Sequence, residues 1–145
     1  MPDALEFMAT LTTAARALRT RLDQEFAPLG VTSQQAGVLL HIGSGIGGVR
    51  ELREAMRMDA AGMTRLLDRL ESRRLIVRAA ASGDRRATVV ALTDAGARLI
   101  PTIPPVFGRL ARLLDAIPDA DLGTALTALR ALIPLLESTE SERAR

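Results

Sequence analysis

The chain has 145 residues, 48% of them hydrophobic, with a formal net charge of +2; that is enough for one domain with a good core, or one small domain plus assembly helices, and it excludes two independent large domains. There is no cysteine, so disulfides, thiolate metal sites and thiol-based redox sensing are excluded. All nineteen basic residues are arginine, which inflates the isoelectric point beyond what the small net charge implies and is explained as readily by genomic base composition as by function.

At the N-terminus, Ala4, Met8, Leu11, Ala15, Leu18 and Leu22 recur at alternating steps of four and three, a seam suited to packing against another helix. His41 is the sole histidine. With no cysteine and no clustered carboxylates around it, it reads as a helix-face residue rather than a metal ligand or triad member. Gly43 to Gly48 lacks the lysine and the preceding strand of a phosphate-binding loop and reads as a short flexible connection between helices. Val49, Leu52 and Met56 then mark a short helix over residues 48–56 with one buried stripe.

A second helix is predicted over residues 61–74. Its stripe is Met63, Leu66, Leu67 and Leu70, which turns Thr64, Arg65, Asp68 and Arg69 outward, and Asp59 is placed to cap its first turn. The period then changes. Leu75 to Arg78 and Thr88 to Leu92 are short strand-like runs around the turn Ala81 to Arg86, which reads as a hairpin with a glycine for positive φ and two arginines as the chain leaves the tip. Thr93 is the expected cap of the next helix. Pro101, Pro104 and Pro105 predict a kink or break there, and Pro134 allows a second interruption. After the helix start at Ile117-Pro118-Asp119, Leu122, Leu126, Leu129, Ile133 and Leu136 form another apolar stripe.

Two helices followed by an arginine-tipped hairpin are the parts of a winged-helix DNA reader. A helix fits the major groove with its N-terminal side chains on base edges, and a hairpin arginine enters the adjacent minor groove. Charge supports this locally: from Arg50 to Arg86 there are ten arginines against six acids, a net +4. The competing readings are bland ones, surface ion pairs for Arg65 and Arg69 and a solvated turn for Arg85 and Arg86.

Five motifs in order carry a resemblance: Val31-Thr32-Ser33-Gln34-Gln35-Ala36-Gly37-Val38-Leu39, Glu51-Leu52, Met63-Thr64-Arg65-Leu66-Leu67-Asp68-Arg69-Leu70-Glu71, Asp84-Arg85-Arg86-Ala87 and Leu92-Thr93-Asp94-Ala95-Gly96. Together they resemble the MarR family of bacterial transcription regulators, which are winged-helix homodimers, over most of residues 29 to 99. The resemblance implies a mainly α fold with a small β-hairpin wing (α+β), a winged helix-turn-helix at residues 31–93, and N- and C-terminal dimerisation helices at 1–30 and 94–145. It places Thr64 and Arg65 on the groove-facing side of the recognition helix and Arg69 at a phosphate or groove edge. Arg86, with Arg85, becomes the minor-groove residue, and Asp84 orients the turn. Two departures stand out. Arg74 occupies a position where the family commonly has glycine, and must either take a left-handed conformation or end the helix differently. Ala60, Ala61 and Gly62 replace small polar residues, offering a thymine methyl apolar contact and no hydrogen bond.

The expectation is therefore a cytoplasmic, homodimeric repressor of near-palindromic double-stranded DNA, released by a small lipophilic or aromatic effector, with no cofactor, metal, membrane or enzymatic site. No signal-peptide pattern opens the chain, and no apolar run reaches the roughly 18 residues that span a membrane. With Phe7, Phe26 and Phe107 as the only aromatic residues, an effector pocket would be mainly aliphatic. The alternative is a winged-helix protein-interaction module without specific DNA binding.

Overall fold

The computed structural model describes the backbone of residues 3–143, with side chains other than those of Asp84, Arg85 and residues 139–143. The chain divides into two units, Met1–Gly108 and Arg109–Arg145. In the first, Asp3 caps α1 (Ala4–Phe26) by accepting from the Leu5 N–H at 3.0 Å. A 3-10 turn leads to α2 (Ser33–Gly43). Thr32 and Gln35 form a capping box at its start, each side chain accepting from the other's backbone N–H, so two otherwise orphaned donors are satisfied. Asp23 near the end of α1 accepts from both the N–H and the hydroxyl of Ser33, at 2.8 and 2.7 Å, which fastens α1 to α2.

The next elements are α3 (Val49–Met56), α4 (Ala60–Ser72), the antiparallel strands β1 (Ile76–Ala81) and β2 (Asp84–Leu92), α5 (Asp94–Leu99) and α6 (Ile103–Ala111). Each apolar stripe read from the sequence finds partners in one core. Met63, Leu66, Leu67 and Leu70 of α4 are all buried, against Leu52 of α3, Val38 and Leu39 of α2, and Ile76 and Val90 at the root of the hairpin. Phe26 is fully buried and meets Phe107 edge to face, with ring centroids 5.0 Å apart, a favoured aromatic geometry. At about 1.5–3 kcal/mol for each large apolar side chain removed from water, these stripes are the main source of the unit's stability.

One expectation needs correction and two gain detail. The hairpin is longer than its β-branched runs suggested: Ala79, Ala80 and Ala81 pair with β2 through their backbones, leaving a turn of only Ser82 and Gly83. Gly83 takes φ 83°, a conformation cheap only for glycine, so Asp84 to Arg86 begin β2 instead of lying in a loop. The 43–48 connection is a short loop between helices, as expected, and it is anchored, because the Gly47 carbonyl accepts from Val90 N–H at 2.7 Å and Gly48 bridges Val89. The break expected near residues 101–105 is present, between α5 and α6, and the prolines act differently from one another. Ile100–Thr102, which contains Pro101, is a 3-10 turn, yet Pro104 and Pro105 sit in the first turn of α6, where proline removes no intrahelical bond.

The second unit holds a 3-10 turn (Arg112–Ala116) and α7 (Asp119–Arg143). Asp121 and Leu122 donate to the Pro118 carbonyl at 3.0 and 3.1 Å, starting α7 where the sequence placed it. Pro134 does not end the helix; one lost donor is tolerated in so long an element. Among the described residues no helix is long and apolar enough to cross a membrane.

The exit from the hairpin is the tightest junction in the first unit. Thr93 donates its hydroxyl to the Arg74 carbonyl (2.6 Å), accepts from Gly96 N–H (3.1 Å), and donates its own N–H to the Leu75 carbonyl (3.1 Å). A Cβ on Gly96 would lie 2.1 Å from that same Leu75 oxygen. Gly96→Ala is therefore expected to destabilise the fold by about 2 kcal/mol or more, because backbone must move. Arg74→Gly is expected to stabilise it by roughly 1 kcal/mol, since Arg74 sits at φ 57° in the left-handed region that glycine favours. Urea unfolding of the two variants checks both signs.

Candidate nucleic-acid interface

Three residues separate the helices of the reader. Arg57 ends α3 in the left-handed region (φ 47°), where the Met58 N–H reaches back to the Arg53 carbonyl at 3.0 Å, the 6→1 bond of a Schellman end. Asp59 then caps α4, its carboxylate accepting from Gly62 N–H at 2.6 Å. The far end of α4 closes the same way, with Leu75 N–H donating to the Leu70 carbonyl at 3.0 Å across a left-handed Arg74. Of the two options open to Arg74, the chain takes the strained one. Leu75 is thereby turned into the core.

With one stripe of α4 buried, Ala60, Ala61, Thr64, Arg65, Asp68 and Arg69 are left exposed. The Thr64 hydroxyl donates to the Ala60 carbonyl at 2.9 Å, so what it offers a partner is a methyl group and oxygen lone pairs. Three of these outward residues line open clefts. Thr64 and Arg86 share one of about 540 Å³ with Arg50, Arg53 and Thr88, bounded by α3, α4 and the hairpin. Arg65 and Arg69 line another of about 370 Å³ together with Arg19, Asp23 and Gln34. Both clefts lie in the first unit and both are rich in guanidinium groups. The side chains of Asp84 and Arg85 lie outside the described residues.

Arg78 is engaged by two acids at once. Arg78, on β1, donates through Nη2 to Asp68, and through Nη2 and Nε to the two Glu71 oxygens at 3.3 Å each. These carboxylates raise the Arg78 pKa further, the Asp68 hydrogen bond contributing most and the Glu71 bond next. Asp68 and Glu71 are thus engaged by the hairpin, and no ion pair joins Arg65 or Arg69 to either. Arg50 pairs with Glu54 at 3.5 Å on an exposed surface, an interaction of small worth.

Residues 29–87 match the family model described as MarR family. No curated protein matches the chain by sequence. Among solved structures, the fold superposes with a TM-score of 0.81 on the S. aureus MepR–DNA complex, at 18% identity and covering 90% of this chain and 97% of that one. A mutant MarR from E. coli complexed with operator DNA gives 0.78 at 23% identity, covering 92% and 100%. The transcriptional repressor CouR bound to a 23-mer DNA duplex gives 0.72 at 26% identity, covering 86% and 89%. Residues 29–87 are thus MarR-like in sequence, and the chain shares the fold of these structures.

The mainly helical fold with a two-stranded wing is the one these structures share. Two groups that shape α4 and its surroundings escaped the sequence reading. Arg78 lies seven and ten residues beyond its partners across a helix-to-strand boundary, where no periodicity connects them. The left-handed Arg57 has no glycine to signal it. Both ends of α4 depend on such local geometry. Asp59→Ala is expected to cost about 1 kcal/mol of unfolding free energy, with Asp59→Asn close to the parent; chemical denaturation distinguishes the two.

Proposed function

We propose that this protein is a homodimeric repressor that binds a near-palindromic operator, placing α4 of each protomer in successive major grooves about one helical turn apart. The observation that carries the reading is the exposed stripe of α4 lying beside the hairpin, with Thr64 and Arg86 on one cleft. In this reading Ala60, Ala61, Thr64 and Arg65 meet base edges and Arg69 meets a phosphate or groove edge. Asp84, Arg85 and Arg86 form the wing tip, with Arg86 in the minor groove. Support for DNA as the partner comes from the local excess of arginine and from the duplexes in the MepR, MarR and CouR complexes.

Dimerisation is supported by apolar side chains left in solvent at both ends of the chain. Met8 and Leu18 on α1 are each 56% exposed, and Leu126, Leu129, Ile133 and Leu136 on α7 are exposed too; such stripes mark association surfaces. Residues 1–30 and 94–145 form the dimerisation region in this reading, and 31–93 the reader. Release by a small lipophilic or aromatic effector and a cytoplasmic location complete the proposal, both by analogy with the family.

Selection of bound duplexes from a random pool is expected to return an inverted repeat. Affinity for that site falls steeply with salt. A shallow salt dependence and no sequence preference would favour a protein-interaction module instead. Arg86→Ala is expected to weaken binding about tenfold with the dimer intact, and Arg65→Ala to relax preference at one base step by about 1–3 kcal/mol. A uniform loss across sequences would reassign Arg65 to a phosphate.

A further inference from the structure

The outward stripe of α4 contains a residue that should oppose DNA. Asp68 stands one turn beyond Thr64 and three residues beyond Arg65, so it lies on the same helix face as both. Its side chain is 56% exposed. A bare carboxylate there would repel phosphates and the acceptor atoms of guanine, or would accept from a cytosine amino group. Glu71 follows on the next turn at 44% exposure. Both acids are held by Arg78, which at 24% exposure is the more buried partner of each pair.

Resting on the DNA-binding reading above, we propose that Arg78 is a positioning residue for duplex binding: a counter-charge from the hairpin that occupies the Asp68 and Glu71 carboxylates, removing their repulsion from the recognition surface and denying Asp68 a role in base readout. The geometry suits that task. Two donors of one guanidinium face both oxygens of Glu71 while Nη2 also reaches Asp68, so a single planar group neutralises two acids a turn apart. Ion pairs with exposed partners add little to folding, so the effect of this one falls on binding. Because Arg78 lies on β1, the surface charge of α4 is correct only when the hairpin is docked. Electrostatics and wing placement are thereby linked.

The test uses the full-length protein and its selected operator duplex. Arg78→Met keeps the apolar stem and removes the charge. It is expected to weaken binding about tenfold at low salt, less at high salt, while the melting temperature stays within a few degrees. Adding Asp68→Asn and Glu71→Gln to Arg78→Met is expected to return affinity to within about threefold of wild type, since no carboxylate then remains to be covered. Unchanged binding by Arg78→Met, or a loss that the two amides fail to repair, overturns the proposal; the second result would make Arg78 a direct contact to the duplex, since it lines the same cleft as Thr64 and Arg86. If Arg78→Met does not fold, Arg78→Gln carries the same comparison. Wild-type protein that prefers no duplex over heparin would defeat the DNA-binding reading itself, and this assignment with it.

Discussion

The burial of one face of α4 is the constraint on which the rest of the reader depends. Met63, Leu66, Leu67 and Leu70 are at most 7% exposed, and rotating the helix by a single residue would carry charged side chains into a core that holds no partners for them. The opposite face therefore has one available direction. Thr64, Arg65 and Arg69 are presented outward because four apolar neighbours leave them nowhere else to go. Specific recognition requires such rigidity, since a loosely held helix would lose affinity to the cost of ordering it on the duplex.

Packing fixes the rotation of α4, while backbone hydrogen bonds fix where it starts and stops. Asp59 closes the N-terminal end and leaves the first turn beside the exposed alanines. At the other end Arg74 accepts a left-handed conformation costing about 1 kcal/mol or more, and the return is that Leu75 enters the core and its carbonyl receives Thr93. Thr93 caps α5 with the same side chain oxygen that donates to Arg74. One threonine thus ties the end of α4 to the end of the hairpin and the beginning of α5. The wing cannot be repositioned without disturbing all three elements.

Most of this architecture was legible in the sequence because it rests on periodicity and capping, which are local. The α4 stripe, the Asp59 and Thr93 caps and the start of α7 after Pro118 were all readable from spacing alone. What escaped has a common cause. The Arg78 contacts join residues on different elements, the Gly47 bond to Val90 joins a loop to a strand, and neither leaves a trace at fixed sequence distance. The extent of the hairpin was hidden for another reason: Ala79 to Ala81 have weak strand preference, and their pairing is decided by the two-residue turn at Ser82 and Gly83. Pro104 and Pro105 show that a proline's effect depends on its position within a helix, which sequence alone left open.

The distribution of charge follows from these same constraints. Between Arg50 and Arg86 the formal excess is +4, but its meaning depends on which groups face one another. Asp68 and Glu71 are coupled to Arg78, and Glu54 to Arg50, so these acids act on their own arginines before they act on any distant phosphate. Arg65 and Arg69 are not drawn into pairs with Asp68 or Glu71 and lie on the outward face. A modest net charge can therefore coexist with a cationic outward face. A protein built this way need not be basic overall to present a cationic face; it has only to cover its acids from within while leaving selected arginines exposed.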